Sequence, residues 1–168
     1  MDDAKVLRRA YGTFATGVTV VTVGGSVPHG MTANSFTTVS LDPPLVLICV
    51  GRSAVMHEAL QRTGTFGVSV LASDQERVAR YFADPRRPLG GDQFDAVDWF
   101  AGPQTAAPLM VDALAQFECE LWRCYDGGDH SIFVGRLLSL ERGSAEDALL
   151  FCHGRFARLD THPSEVTA

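Results

Sequence analysis

The stretch HGMTANSFTTVSLDPPLVLICVG, residues 29–51, decides how the chain is read. It opens on small polar residues, Thr32, Asn34, Ser35, Thr37, Thr38 and Ser40, and breaks at Asp42-Pro43-Pro44. Proline fixes its own φ and pushes the preceding residue into extended backbone. The apolar run that follows, residues 45–50, therefore reads as a core strand. The polar half is too β-branched and too regular for a plain loop. It reads as a lining, with backbone and short side chains presented to something flat and polar that is not protein.

Working outward, residues 4–14 have the spacing of a short amphipathic helix, with Val6, Leu7, Ala10 and Phe14 on one side. Residues 18–23 form a β-branched strand. Gly24-Gly25-Ser26 is a hairpin turn signal, and the chain returns through residues 27–36. Ser53 is placed to cap a helix reaching Arg62, with Val55, Met56, Ala59 and Leu60 facing inward and Gly64 ending it. Residues 65–71 make another strand. Ser73 and Glu76 suggest a capping box for a helix through Phe82, with a Glu76–Arg80 pair outside. Residues 84–98 are irregular, and a loop of that length is usually functional or mobile. Residues 113–125 and 130–140 are long strands joined through Asp126-Gly127-Gly128-Asp129, and residues 149–159 form a last strand.

Six or seven strands and three helices with hairpin-length connections predict an antiparallel β-barrel with helices at its rim, mainly β with some α. The 168 residues form a single domain, with a core of about residues 7–158 and a flexible tail at 160–168. No G-x-G-x-x-G follows a strand, so a dinucleotide fold of the Rossmann type is not expected.

Hydrophobic residues make up 46% of the chain, which excludes a disordered segment. The longest apolar run is too short to cross a bilayer. The acidic start, Met1-Asp2-Asp3, does not resemble an export signal, which makes the cytoplasm the expected location. A net charge of −6 argues against nucleic acid as a partner. Positive charge comes from arginine, with Lys5 the lone lysine. That bias suits phosphate recognition, or it reflects gene base composition. Cys49, Cys119, Cys124 and Cys152 lack C-x-x-C spacing, so zinc is not expected, and Cys49 and Cys119 read as buried free thiols. His57, His130 and His153 lack metal-ligand spacing, and no G-x-S-x-G elbow supports a hydrolase.

Two further stretches carry possible chemistry. Gly127-Gly128-Asp129-His130 is a tight turn that lets backbone approach a ligand, with His130 at its mouth; it also fits a plain hairpin with a surface histidine. Gly51-Arg52-Ser53 joins a strand to a helix, which suits an anion site as well as an ordinary capped helix.

Taken in register, several segments resemble the short flavin reductases that serve two-component flavin-dependent monooxygenases. They are Thr16-Gly17-Val18-Thr19-Val20-Val21-Thr22, Gly30-Met31-Thr32-Ala33-Asn34-Ser35-Phe36, Ser40-Leu41-Asp42-Pro43-Pro44-Leu45, Gly128-Asp129-His130 and Gly154-Arg155-Phe156. The similarity spans residues 7–158 and is nearest to reductase partners of actinomycete natural-product pathways. It implies a Greek-key split β-barrel that forms a homodimer and binds FMN or FAD. Met31, Thr32, Ala33, Asn34, Ser35 and Thr38 would edge the flavin ring. Ser40, Cys49, Val50, Arg52 and Ser53 would follow its ribityl chain and phosphate. Tyr81, Phe82 and Phe94 would close over it. Family members often carry a basic residue before that last aromatic; here Gln93 stands there, so Arg86 or Arg87 would serve the phosphate instead. Asp129, His130, Arg155 and Phe156 would receive the nicotinamide dinucleotide, with His130 positioning it rather than acting as a base. NADH is favoured over NADPH, since no paired-arginine motif for a 2′-phosphate stands out. The implied activity is NAD(P)H:flavin oxidoreduction, with diffusible reduced flavin passing to a separate monooxygenase of secondary metabolism. The alternatives are a flavin carrier or storage protein without turnover, and an enzyme using bound flavin to oxidise a small molecule directly.

Overall fold

A computed structural model describes residues 3–145 and 147–159. The tail expected to be flexible, residues 160–168, lies outside the described residues. The chain begins with α1 (Ala4–Tyr11), β1 (Thr16–Gly17), β2 (Thr19–Val23), β3 (His29–Ala33), β4 (Thr37–Leu41) and β5 (Pro44–Gly51). Then come α2 (Val55–Thr63), β6 (Thr65–Val70), α3 (Glu76–Ala83) and a 3-10 turn (Gly90–Phe94). It closes with β7 (Trp99–Ala101), β8 (Pro108–Met110), β9 (Ala115–Gly127), β10 (His130–Arg142), β11 (Leu149–Cys152) and β12 (Arg155–Arg158).

The main sheet is wholly antiparallel, in the order β3-β2-β6-β9-β10-β5-β4. Its two edge strands, β3 and β4, are joined by only Asn34-Ser35-Phe36. So short a link brings the two edges together, and the sheet must curl into a barrel. Phe36 stacks on Phe117 at 5.6 Å between ring centroids, and the Ser35 hydroxyl donates to the Cys49 carbonyl while accepting from the Cys49 N–H.

β2 is buried along its whole length and separates two cores. Strand alternation sends Val21 and Val23 into the barrel, where they meet Ile48, Val50, Phe66 and Phe133. It sends Val20 outward against Leu71, Phe82, Phe94 and Met110. The hydroxyls of Thr19 and Thr22 reach the Ala33 and Pro108 carbonyls, so no polar atom of this strand is stranded. α2 closes the barrel with Met56, Ala59 and Leu60, and α3 covers the outer core with Ala79 and Phe82. Glu118 is buried, and burial alone would favour its neutral form. Hydrogen bonds from Thr105, Ser139 and Gln104 outweigh that and hold its carboxyl below the usual range.

Several local expectations change. α1 stops at Tyr11 and buries none of its residues, so Phe14 is outside it. The polar stretch after Phe36 is a strand, β4, whose exposure comes from lying at a sheet edge. The cap of α2 is Ala54, not Ser53, and Val55 faces solvent. The box at Ser73 does not form, because Gln75 precedes α3 and its side chain ties Ala72 N–H to the Val111 carbonyl. The Glu76–Arg80 pair is present at 2.7 Å. The last strand is a hairpin, turned at His153 and Gly154, both at positive φ. Cys119 is buried and its thiol is pushed up to about 12, chiefly by that burial; Cys49, on the outer side of β5, is only half-buried.

β10 passes the ring of Phe66 at Gly135, where an added Cβ would stand 2.4 Å from a ring carbon. Gly135→Ala is expected to cost about 1–3 kcal/mol, typical of overpacking. Gly91→Ala, with open space around it, is the control. Denaturant midpoints of the two variants check this.

Candidate active site

Three segments far apart in sequence line one groove of about 420 Å³. β3 contributes His29, Met31 and Thr32, the start of α2 contributes Ser53, Ala54 and Val55, and the end of α3 with its following turn contributes Phe82, Ala83, Arg87 and Leu89. A smaller cavity of about 140 Å³ abuts it, bounded by Val18, Asn34, Phe151 and Phe156 and sharing Thr32 and Ala83.

β3 pairs only with β2, so its other edge is open. Gly30 turns its N–H to Gln93 Oε1 at 2.8 Å and its carbonyl to the Arg87 guanidinium. Antiparallel alternation places the Thr32 N–H and carbonyl on the same edge, in the wall the two cavities share. The Thr32 hydroxyl donates to Ala79 O at 2.6 Å, which leaves its lone pairs for a visitor. Arg87 is half-buried, donates to Asp84 O at 2.9 Å and lies 3.4 Å from His29 Nε2. Burial and the Arg87 charge bring His29 down to about 4, so it is neutral at pH 7. The groove thus offers an apolar floor from Met31, Phe82 and Leu89, the outward N–H of Thr32, the Arg87 cation fixed by two carbonyls, and the Ser53 hydroxyl before α2. That donor set suits a flat aromatic heterocycle bearing a phosphate.

The β9–β10 turn sits beside this groove. His130 pairs with Gly51 in the β5–β10 ladder, two residues before Ser53. Asp129 Oδ1 accepts from His130 Nδ1 at 2.7 Å, and that bond holds the Asp129 carboxyl below the usual range. This arrangement fixes the ring and leaves Nε2 over Gly51, where a Cβ would be 3.8 Å away. Arg52 N–H donates to Asp129 O at 3.0 Å, Arg52 Nε to Gly128 O at 2.9 Å, and its guanidinium pairs with Asp126 at 3.1 Å.

Of the residues singled out in the sequence, Met31, Thr32, Asn34, Ser53, Phe82 and Phe156 therefore gather around the paired cavities. Several differ in role. Val50 and Phe94 are buried core, and the Phe94 ring packs on Phe82 and Trp99 rather than covering a site. Phe82 is also buried; it is a floor, not a lid. Arg52 is directed at the hairpin, where it braces the turn. Ser35 holds β5 rather than facing a ligand, and Ala33 belongs to the barrel core. Thr38, Ser40, Cys49 and Arg155 line neither cavity. Tyr81 faces the outer side of α3. Gln93 is fully buried and joins β3 to the 3-10 turn. His29, Ala54 and Leu89 were not anticipated, and no periodicity or motif marks them.

The Flavin reductase like domain family matches residues 11–160. The chain belongs to the flavin reductase like family. An NADH-dependent FAD reductase of Streptomyces globisporus is 58% identical over 166 residues, covering 99% of this chain and 91% of that protein. Among solved structures, BorF, the flavin reductase component of a bacterial two-component tryptophan halogenase, superposes with a TM-score of 0.91 at 58% identity, covering 94% of this chain and 98% of that one. The S. globisporus NADH:FAD oxidoreductase SgcE6, solved with NAD and FAD fragments, gives a TM-score of 0.90 at 54% identity, covering 97% and 98%. These relatives have the same split barrel, and the Greek-key expectation holds.

For a flavin reductase like protein, Arg87 and Ser53, whose chemistry suits a phosphate, give the sharpest test of the geometry. Losing one charge-assisted hydrogen bond costs about 1.5–3 kcal/mol, so Arg87→Ala and Ser53→Ala are each expected to weaken FMN binding about tenfold or more. Riboflavin, which lacks the phosphate, should bind each variant nearly as well as wild type. Titrations of flavin fluorescence read both constants.

Proposed function

We propose that the chain is an NADH-dependent flavin reductase that binds FAD or FMN in the groove between β3, α2 and α3 and releases it reduced to a separate flavin-dependent monooxygenase. The observation that carries this reading is the adjacency of two differently built surfaces. One is a phosphate-ended groove with an open strand edge; the other is a glycine turn whose histidine is held by Asp129. Flavin supplies the hydride-accepting ring and NADH the hydride, so no side chain need act as nucleophile or base. The chain's own work is placement. Met31 and Phe82 support a ring from below, and the Thr32 N–H donates to its polar edge. Arg87 and Ser53 hold phosphate. His130 Nε2 hydrogen-bonds a nicotinamide carboxamide or phosphate, and Phe156 adds an aromatic wall. Glycines at 127 and 128 let that ligand approach the backbone.

A carrier or storage protein would need the groove but not the braced turn beside it. The groove is open and holds few charges along its ring-lining edge, which suits a flavin that exchanges. Likeness to a reductase component of a two-component system favours a diffusing product, and we assign the partner to secondary metabolism.

We further propose that the chain works as a single cytoplasmic domain in a homodimer. Among the described residues, no helix is long and apolar enough to cross a membrane. The exposed side of α1 and the segment after it carry Val6, Tyr11 and Phe14, and Leu41 at the tip of β4 is 96% exposed. A second copy would bury these residues and cover the cavities from outside.

NADH consumption with added FAD or FMN tests the reading: turnover above background with at least one flavin is expected, and none with either flavin rejects it. His130→Ala should raise the KM for NADH while flavin binding stays at the wild-type level. The log of kcat should show no steep loss tied to one ionisation near pH 6–7.

A further inference from the structure

On the outer side of α3, a cleft of about 530 Å³ is lined by Arg77, Arg80, Tyr81, Asp84, Arg86 and Arg87. Four of the chain's 14 basic residues thus fall within one short segment of a protein whose net charge is −6. Glu76 engages Arg80 at 2.7 Å and Asp84 engages Arg86 at 2.9 Å. Two carboxylates against four guanidiniums leave an excess of two positive charges. Arg87 is the wall common to this cleft and the groove. The cleft therefore begins at the phosphate end of the groove. Tyr81 is half-buried there, edge-on to Phe82 at 5.2 Å, and the Arg80 guanidinium lies 4.9 Å from the Phe156 ring centroid.

We propose that this arginine cleft receives the adenosine diphosphate arm of FAD and makes the chain select FAD over FMN. The inference rests on the reading of the groove as the flavin seat. A diphosphate diester carries two negative charges, which the excess in the cleft matches. Guanidinium forks grip its oxygens in pairs, and both Tyr81 and the guanidinium planes offer faces for adenine. FMN ends at its first phosphate, beside Arg87, and cannot reach Arg77 or Arg86. NADH carries the same adenosine diphosphate. Continuity with the groove through Arg87, and a lining that includes none of residues 126–130, favours FAD as the occupant.

Equilibrium titration of the whole chain with FAD and with FMN tests this. Wild type should bind FAD more tightly, and raising salt should narrow that preference. Arg77→Ala and Arg86→Ala should each weaken FAD binding about fivefold and leave FMN within about twofold, as expected for partly exposed charge-assisted contacts. Arg77→Lys and Arg86→Lys, which keep the charge and the helix, should recover part of the loss. Equal losses for both flavins, unchanged FAD binding, or a salt-independent preference would overturn the assignment. So would a raised KM for NADH with FAD binding intact, which would give the cleft to NADH. Failure of the reductase reading shows separately, as wild-type protein that turns over neither flavin whatever its binding preference.

Discussion

The register of β5 against β10 is the constraint on which the rest depends. Cys49 opposite Ile132 and Gly51 opposite His130 put Val46, Ile48 and Val50 into the barrel with Phe133. A slip of one residue would turn those side chains outward and expose the core. The same register ends β5 at the turn that carries Arg52, whose three bonds to Asp126, Gly128 and Asp129 brace the hairpin. It therefore sets the distance between the groove beginning at Ser53 and the histidine at the hairpin mouth. Stability and site geometry come from one ladder.

The site itself is economical in charge. Its floor is apolar, its polar edge is backbone, and its cation is fixed by two carbonyls before any ligand arrives. Preorganised backbone donors need no reorganisation and can serve a ring in either redox state. A neutral His29 beside Arg87 avoids repulsion between two cations in the groove. An open groove with few charges along its apolar floor suits exchange better than permanent retention.

Much of the fold was legible in the sequence. β2 announced itself by β-branching, the long hairpin by its glycines, and the barrel by hairpin-length links. The segment Gly30–Phe36 read as a lining; in the fold its first residues belong to the edge strand β3, Ala33 enters the barrel core and Ser35 holds β5. What stayed hidden depends on tertiary neighbours. β4 looked like a polar rim because edge strands can be polar and still pair. Ser53 had the chemistry of a cap, but the chain turns at Ala54. Phe94 and Val50 were placed at the ligand, yet the two cores on either side of β2 claim them. Arg52 could not be assigned to the hairpin, because its partners lie 74 to 77 positions away. His29 and Leu89 join the groove only when α3 packs on β3.

The central claim is that the groove and the His130 turn form one site, in which flavin and nicotinamide rings lie face to face. Stopped-flow mixing of flavin-loaded protein with NADH under anaerobic conditions tests it most directly, because stacked rings give a transient long-wavelength charge-transfer absorbance. The expected result is such a band in wild type, preceding loss of flavin colour and strongly diminished in His130→Ala protein that still binds flavin normally. A band of wild-type size and lifetime in that variant would contradict the claim.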